Sequence, residues 1–167
     1  MTGEPLQPYS NTREDGVFRF LGVPTVMRST AENTRGAFGM LEHLAAPSGF
    51  STPYHTHRRE DEAFYVMDGE VAFVCDGQWL KAGPGTYVYG PRDIPHGFQV
   101  LGQADARMLV LCAPGGGFER FVLEQATPIE DAPGEPDIPR LLALAEKYGI
   151  EIHGPLPEMP EGFAAGG

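Results

Sequence analysis

At 167 residues, with 41% hydrophobic side chains, the chain is long enough for one domain and apolar enough to bury one core. Its formal net charge of -11 creates a field that repels phosphate backbones and anionic lipid surfaces, which argues against nucleic acid or a membrane as partner. No run approaches the roughly 18 apolar residues of a membrane span, and the N-terminal stretch is too polar for a signal peptide, so a cytoplasmic location is expected.

Residues 1–15 are polar, contain Pro5 and Pro8, and read as an extended arm. From Val17 the texture changes to ten short runs rich in β-branched and aromatic residues: VFRFLG, PTVMRS, FGMLEHLA, PYHTH, EAFYVM, EVAFVC, QWL, TYVYG, HGFQV and RMLVLC. Runs of this length separated by Gly, Pro, Asn and Asp predict a mainly all-β antiparallel sandwich or barrel over residues 17–113. The AspGly pairs at 68–69 and 76–77 supply left-handed backbone for tight hairpins, which predicts a meander of EVAFVC with both its neighbours. Cys75 and Cys112 each end an apolar run and read as buried core thiols rather than as a disulfide or a nucleophile.

Residues 114–150 are expected to be a C-terminal helical segment. FERFVLEQ spaces Phe118, Phe121 and Val122 as one helical face. Residues 127–136 are rich in Pro, Gly and acid and read as a surface linker. Asp137 then caps DIPRLLALAEKYG, with Pro139 in the first turn, Lys147 in the last and Gly149 just beyond it. Residues 151–167 read as a Pro- and Gly-rich tail. The whole chain, 1–167, is expected to be one domain.

The chemistry concentrates in residues 49–69, GFSTPYHTHRREDEAFYVMDG. Alternate residues of a strand share a face, so His55 and His57 aim two imidazoles at one point. A carboxylate from the next strand and a third imidazole would complete a nitrogen and oxygen site for a divalent transition ion. Of the adjacent acids Glu60, Asp61 and Glu62, Glu62 heads the apolar alternation Glu62, Phe64, Val66, whereas residues 58–61 look like a solvated charged turn. His43 and Glu42 must face opposite ways in a strand. The sequence does not choose between them, and a hydrogen-bonded structural His43 is preferred to a pocket acid or base. His153 is expected to be exposed.

The intervals Gly49, His55, His57, Glu62, Gly69, followed by Gly85, Pro91, His96, resemble the two motifs of the cupin superfamily, here in a single-domain form. Asp93 and Val100 stand where that family usually has glycine and asparagine. The resemblance implies a jelly-roll barrel with one or two C-terminal helices, metal ligands His55, His57, Glu62 and His96, and one divalent ion that could be Fe, Mn, Ni, Co, Cu or Zn. It also implies a homodimer formed through the sheets, with the N-terminal runs able to exchange across the interface.

Within that superfamily the chain looks like the bacterial quercetinase type, flavonol dioxygenases that open a heterocyclic ring with O₂ and release carbon monoxide. Glu62 would then be both ligand and proton acceptor, and the partners would be O₂ and an aromatic small molecule. Tyr54, Phe64, Tyr65, Phe73, Trp79, Tyr87, Tyr89 and Phe98 surround the motif and are expected to be mostly core, with some lining a cavity. Two alternatives remain. One is an O₂-independent lyase, isomerase or hydrolase in which Tyr65 or Glu42 moves a proton. The other is a non-catalytic small-molecule or metal-binding module.

Overall fold

The computed structural model describes residues 5–165. All ten runs form strands: β1 (Phe18–Phe20), β2 (Val23–Ser29), β3 (Gly39–Ala46), β4 (Tyr54–His57), β5 (Asp61–Asp68), β6 (Glu70–Cys75), β7 (Gln78–Ala82), β8 (Tyr87–Gly90), β9 (His96–Leu101) and β10 (Ala106–Ala113). Two further strands, β11 (Thr127–Pro128) and β12 (Ile150–Gly154), and the helices α1 (Ala31–Thr34), α2 (Phe118–Gln125) and α3 (Ile138–Tyr148) complete the described elements. A seven-stranded antiparallel sheet runs β11-β1-β2-β3-β10-β5-β8 and faces a five-stranded sheet ordered β12-β4-β9-β6-β7. No helix among the described residues is long and apolar enough to cross a membrane.

The core is made by the inward parity of each strand. β10 alternates buried and half-buried through its whole length, placing Met108, Val110 and Cys112 inside. Phe64 and Val66 of β5 meet Phe98 and Val100 of β9 across the sandwich, and the four donor positions continue the same inward faces. Phe121, Val122, Leu141, Ala145 and Tyr148 of α2 and α3 join this core. Asp137 accepts from the Arg140 N–H at 3.0 Å, and Gly149 ends α3 in the left-handed region at φ 73, as the capping pattern predicts.

The two AspGly pairs behave differently. Asp76 and Gly77 both have positive φ, 49 and 73, and join β6 to β7 as a tight hairpin with Cys75 opposite Gln78. Asp68 and Gly69 instead form a corner, because β5 lies in one sheet and β6 in the other, so the meander is limited to β6 and β7. Gly69 passes so close to the chain beyond it that a Cβ there would sit 2.7 Å from Asp105 O.

One other expectation changes. IEIHG, read as helix end and tail, forms β12 and pairs with β4, Ile150 opposite His57 and Ile152 opposite His55. In this single chain VFRFLG forms β1 against β2, which does not bear on exchange across a dimer interface, and the arm lies along β2 as well: the Asn11 amide donates to Arg28 O at 3.0 Å and the Tyr9 hydroxyl donates to the same oxygen at 3.1 Å.

Candidate metal centre

β4, β5 and β9 bring His55, His57, Glu62 and His96 together, with one ligand atom from each lying within 4.8 Å of all the others. His55 and His96 are direct partners in the β4–β9 pair, which sets two of the rings side by side. Glu62 reaches them from the opposite sheet, and its neighbours on the inward face are Phe64 and Val66.

Each imidazole is tied at its Nδ1 edge. That of His55 lies 2.8 Å from Pro53 O, that of His57 2.9 Å from Glu60 Oε1, and that of His96 3.0 Å from Ile94 O. Carbonyl and carboxylate oxygens only accept, so each Nδ1 carries a hydrogen and each neutral ring presents its Nε2 lone pair inward. At the centre His96 Nε2 lies 2.8 Å from Glu62 Oε2, and His57 Nε2 lies 3.4 Å from the same oxygen. His57 Nε2 is buried without a hydrogen-bond partner. Four acceptors this close, in a site with almost no solvent, require a positive charge among them. A divalent ion fits that donor set.

Without an ion, the charge is a proton. Burial opposes ionisation of Glu62, but the neighbouring His57 and His96 outweigh it and hold the carboxyl well below its ordinary value. Burial likewise works against charging His57, yet Glu62 and Glu60 push it up to about 9. His55, buried and repelled by His57 and His96, is pushed down to about 3.

Asp93 occupies a position where the resembling family usually has glycine. It adopts φ 64, donates its N–H to His57 O at 2.8 Å and receives Arg58 Nη1 at 2.9 Å. Asp is among the residues that tolerate this backbone, so the turn leading into His96 forms without a glycine. Val100 is part of the core.

Several sequence readings need correction. Glu60 is not in a solvated turn: it is 1% exposed and is the partner that orients His57. A carboxylate three residues after a histidine, at a strand end, was the signal available. Glu42 and His43 are both buried. His43 faces inward, while Glu42 lies on the outer side of β3 and accepts from Arg28 Nη2 at 2.5 Å and Arg107 Nε at 2.6 Å.

Tyr65, Tyr87 and Tyr89 are 45%, 63% and 51% exposed, so Tyr65, like Glu42, stands outside the cavity. Of the eight aromatics around the motif only Phe64, Phe73 and Phe98 are buried. His153 is exposed as expected, though its Nε2 lies 2.8 Å from Thr56 Oγ1. Both cysteines are free. Cys112 is buried, with its thiol 3.7 Å from Glu62 Oε1, while Cys75 is only half-buried. Burial, then Glu62, Glu60 and Glu119, push the Cys112 thiol well up, so it is a weak donor and not a thiolate.

Beside the donors lies an apolar cavity of about 50 Å³, bordered by His55 and Glu62 and walled mainly by Phe20, Phe50, Phe64, Phe98, Phe118 and Phe121. Phe50, Leu141 and Ile152 also line a more open groove under α3, so they form the partition between cavity and surface.

Residues 42–112 match the family described as Cupin domain. Over 129 residues, 74% of this chain, the sequence is 27% identical to quercetin 2,3-dioxygenase of Bacillus subtilis, a match that spans 37% of that protein's length. It is 22% identical over 111 residues to an uncharacterised protein of Methanocaldococcus jannaschii, covering 66% of this chain and 82% of the other. An RmlC-like cupin from Shewanella frigidimarina superposes with a TM-score of 0.55 at 16% identity, over 65% of this chain and 92% of its own.

Proposed function

Because this chain is a cupin, its family domain running from residue 42 to residue 112, we propose that it is a metal-dependent dioxygenase acting on a flavonol-like or other aromatic enol substrate. One divalent transition ion would be held by His55, His57, Glu62 and His96. The observation that carries the reading is the convergence of four acceptors, three with their outer nitrogens already committed, beside an aromatic cavity. Similarity to a quercetin 2,3-dioxygenase supports the choice of substrate class.

A bound ion would supply Lewis acidity that favours the ionised enol oxygen of the substrate. The protein's own groups do the rest. Glu60 fixes the His57 ring, and the Pro53 and Ile94 carbonyls fix His55 and His96, so no donor has to reorganise. Glu62 is kept ionised, and its Oε1, met only by the weak Cys112 donor, is the base positioned to take the enol proton. The phenylalanine walls exclude water and stack on a flat ring system. Entry of a flavonol requires the Phe50, Leu141 and Ile152 wall to yield, because a cavity of about 50 Å³ is too small for it.

The test is O₂ uptake by metal-loaded protein across a panel of flavonols and related enediols, with carbon monoxide measured in the headspace. Metal-dependent uptake supports the reading, and none across the panel removes it. Turnover that persists without O₂ would select a lyase, isomerase or hydrolase instead, although Tyr65 and Glu42 are placed outside the cavity where they cannot move its protons. We also propose a homodimer, supported by the outward tyrosines of β5 and β8. A monomer by light scattering at micromolar concentration refutes that.

A further inference from the structure

His43 stands apart from the four donors. It lies on the cavity wall, stacked on Phe20 with ring centroids 6.2 Å apart and tilted against Phe98 at 6.5 Å. Its Nδ1 is 3.0 Å from the hydroxyl of Thr25, its direct partner across the β2–β3 pair. That hydroxyl has a single hydrogen, and the hydrogen goes to Val23 O, 3.0 Å away, which can only accept. Towards His43 the threonine oxygen is therefore an acceptor. The imidazole hydrogen must sit on Nδ1, and Nε2 keeps a bare lone pair.

Burial holds the ring neutral, pushing it down to about 4 against the opposing pull of Glu62. Among the described residues the ring's recorded hydrogen bond is the one at Nδ1, and His43 lines the cavity. Apart from the donors His55 and Glu62 and the Thr52 hydroxyl, the cavity lining is apolar, so the His43 lone pair is an acceptor able to select a polar group on an otherwise flat, greasy molecule.

We infer that His43 Nε2 accepts a hydrogen bond from a substrate hydroxyl, so that the substrate is held at a second hydroxyl besides the oxygen taken at the metal centre. The inference rests on the cavity being the substrate site, as proposed above. The two points are well apart. His43 pairs with Met108, which pairs with Val66, four residues along β5 from Glu62. The backbone separation is thus roughly 13 Å along the strand and about 10 Å across it. Between the ends run the rings of Phe98 and Phe64, 6.0 Å apart, with Phe64 6.4 Å from His96. The second hydroxyl therefore lies on a part of the substrate that reaches along this phenylalanine wall, away from the oxygen at the metal centre.

The experiment compares quercetin with 3-hydroxyflavone, which keeps the enol and lacks the other hydroxyls, on metal-loaded protein, reading Kd by fluorescence and KM by O₂ uptake. Quercetin is expected to bind on the order of tenfold more tightly, the worth of one buried hydrogen bond. In His43→Phe, which keeps a flat ring between Phe20 and Phe98, that ratio should collapse towards one with metal content unchanged. His43→Gln, whose amide oxygen can replace Nε2, should restore much of it and guards against a folding artefact.

Nitrogen-15 NMR of the unaltered protein should show the His43 hydrogen on Nδ1. A hydrogen on Nε2, equal binding of the two flavonols, or a preference that survives His43→Phe overturns the inference even if turnover is normal. A preference that depends on His43 without any O₂ uptake leaves the inference standing and removes the dioxygenase reading. Failure of both flavonols to bind removes both.

Discussion

Removing Glu60 should weaken the metal centre without touching a ligand. Its Oε1 accepts from His57 Nδ1 at 2.9 Å, and both residues are essentially fully buried, so Glu60→Ala leaves the buried Nδ1–H without its carboxylate. Hydrogen bonds to charged groups contribute about 1.5 to 3 kcal/mol. At about 1.4 kcal/mol per decade this is a loss of roughly ten- to a hundredfold in ion affinity, the range usual for partners that orient a ligating histidine. Glu60→Gln keeps an acceptor oxygen beside Nδ1 and should lose less than Glu60→Ala. Competition against a chelator of known affinity measures each variant, and thermal melts of the ion-free proteins separate loss of affinity from loss of fold. An alanine variant within twofold of the original affinity would refute the reasoning, because His57 would then need no partner to present Nε2.

Three other outcomes follow from the same geometry. In the ion-free protein His57 is raised to about 9, so an incoming ion must displace its proton at neutral pH. Calorimetry in buffers of different ionisation heat should therefore show close to one proton released per ion at pH 7, and affinity rising with pH until about 9; zero release would contradict this. His43 is lowered to about 4 when folded against about 6.5 unfolded, so between those values the unfolded chain binds the extra proton and stability falls as pH falls. The drop from this group is about 3 kcal/mol, and urea melts of His43→Phe should show a shallower acid limb than the unaltered chain. Gly69→Ala places a Cβ 2.7 Å from Asp105 O and 2.8 Å from Ala106 Cα at φ +80, whereas Gly77→Ala meets open space at φ +73. Both incur about 1 kcal/mol of backbone strain, and Gly69→Ala should lose a further ~1 to 2 kcal/mol to the clash; equal losses in urea would refute the corner assignment.

Much of the donor arrangement is legible in sequence because it depends on local parity. His55 and His57 share a strand face, and Glu62 and His96 each head an alternation whose later members are apolar, so strand assignment alone turns all four inward. The ten strand runs are legible for the same reason. What depends on long-range placement is not.

AspGly at 68–69 and at 76–77 reads the same, yet only the second joins paired strands; the first must clear Asp105 and Ala106, which are distant in sequence. Glu60 hides in a run of five charged residues, 58–62, because its burial comes from the chain around Gly117, where a Cβ would lie 2.5 Å from its carboxylate. β12 follows a helix and precedes prolines, so Ile150 and Ile152 look like tail, although their alternation with Glu151 and His153 is the usual strand signature. The tyrosines of β5 and β8 satisfy strand propensity on the outward parity, while the cavity takes Phe20, Phe50, Phe118 and Phe121 from segments well removed from the motif.

The central claim is that His55, His57, Glu62 and His96 hold one divalent ion. Elemental analysis after loading and dialysis tests it most directly. One ion per chain is predicted, lost in His57→Ala and in His96→Ala while circular dichroism shows the sheets intact, and retained in His43→Phe. Protein that retains none of Fe, Mn, Ni, Co, Cu or Zn, or alanine variants that keep the full complement, would contradict the account.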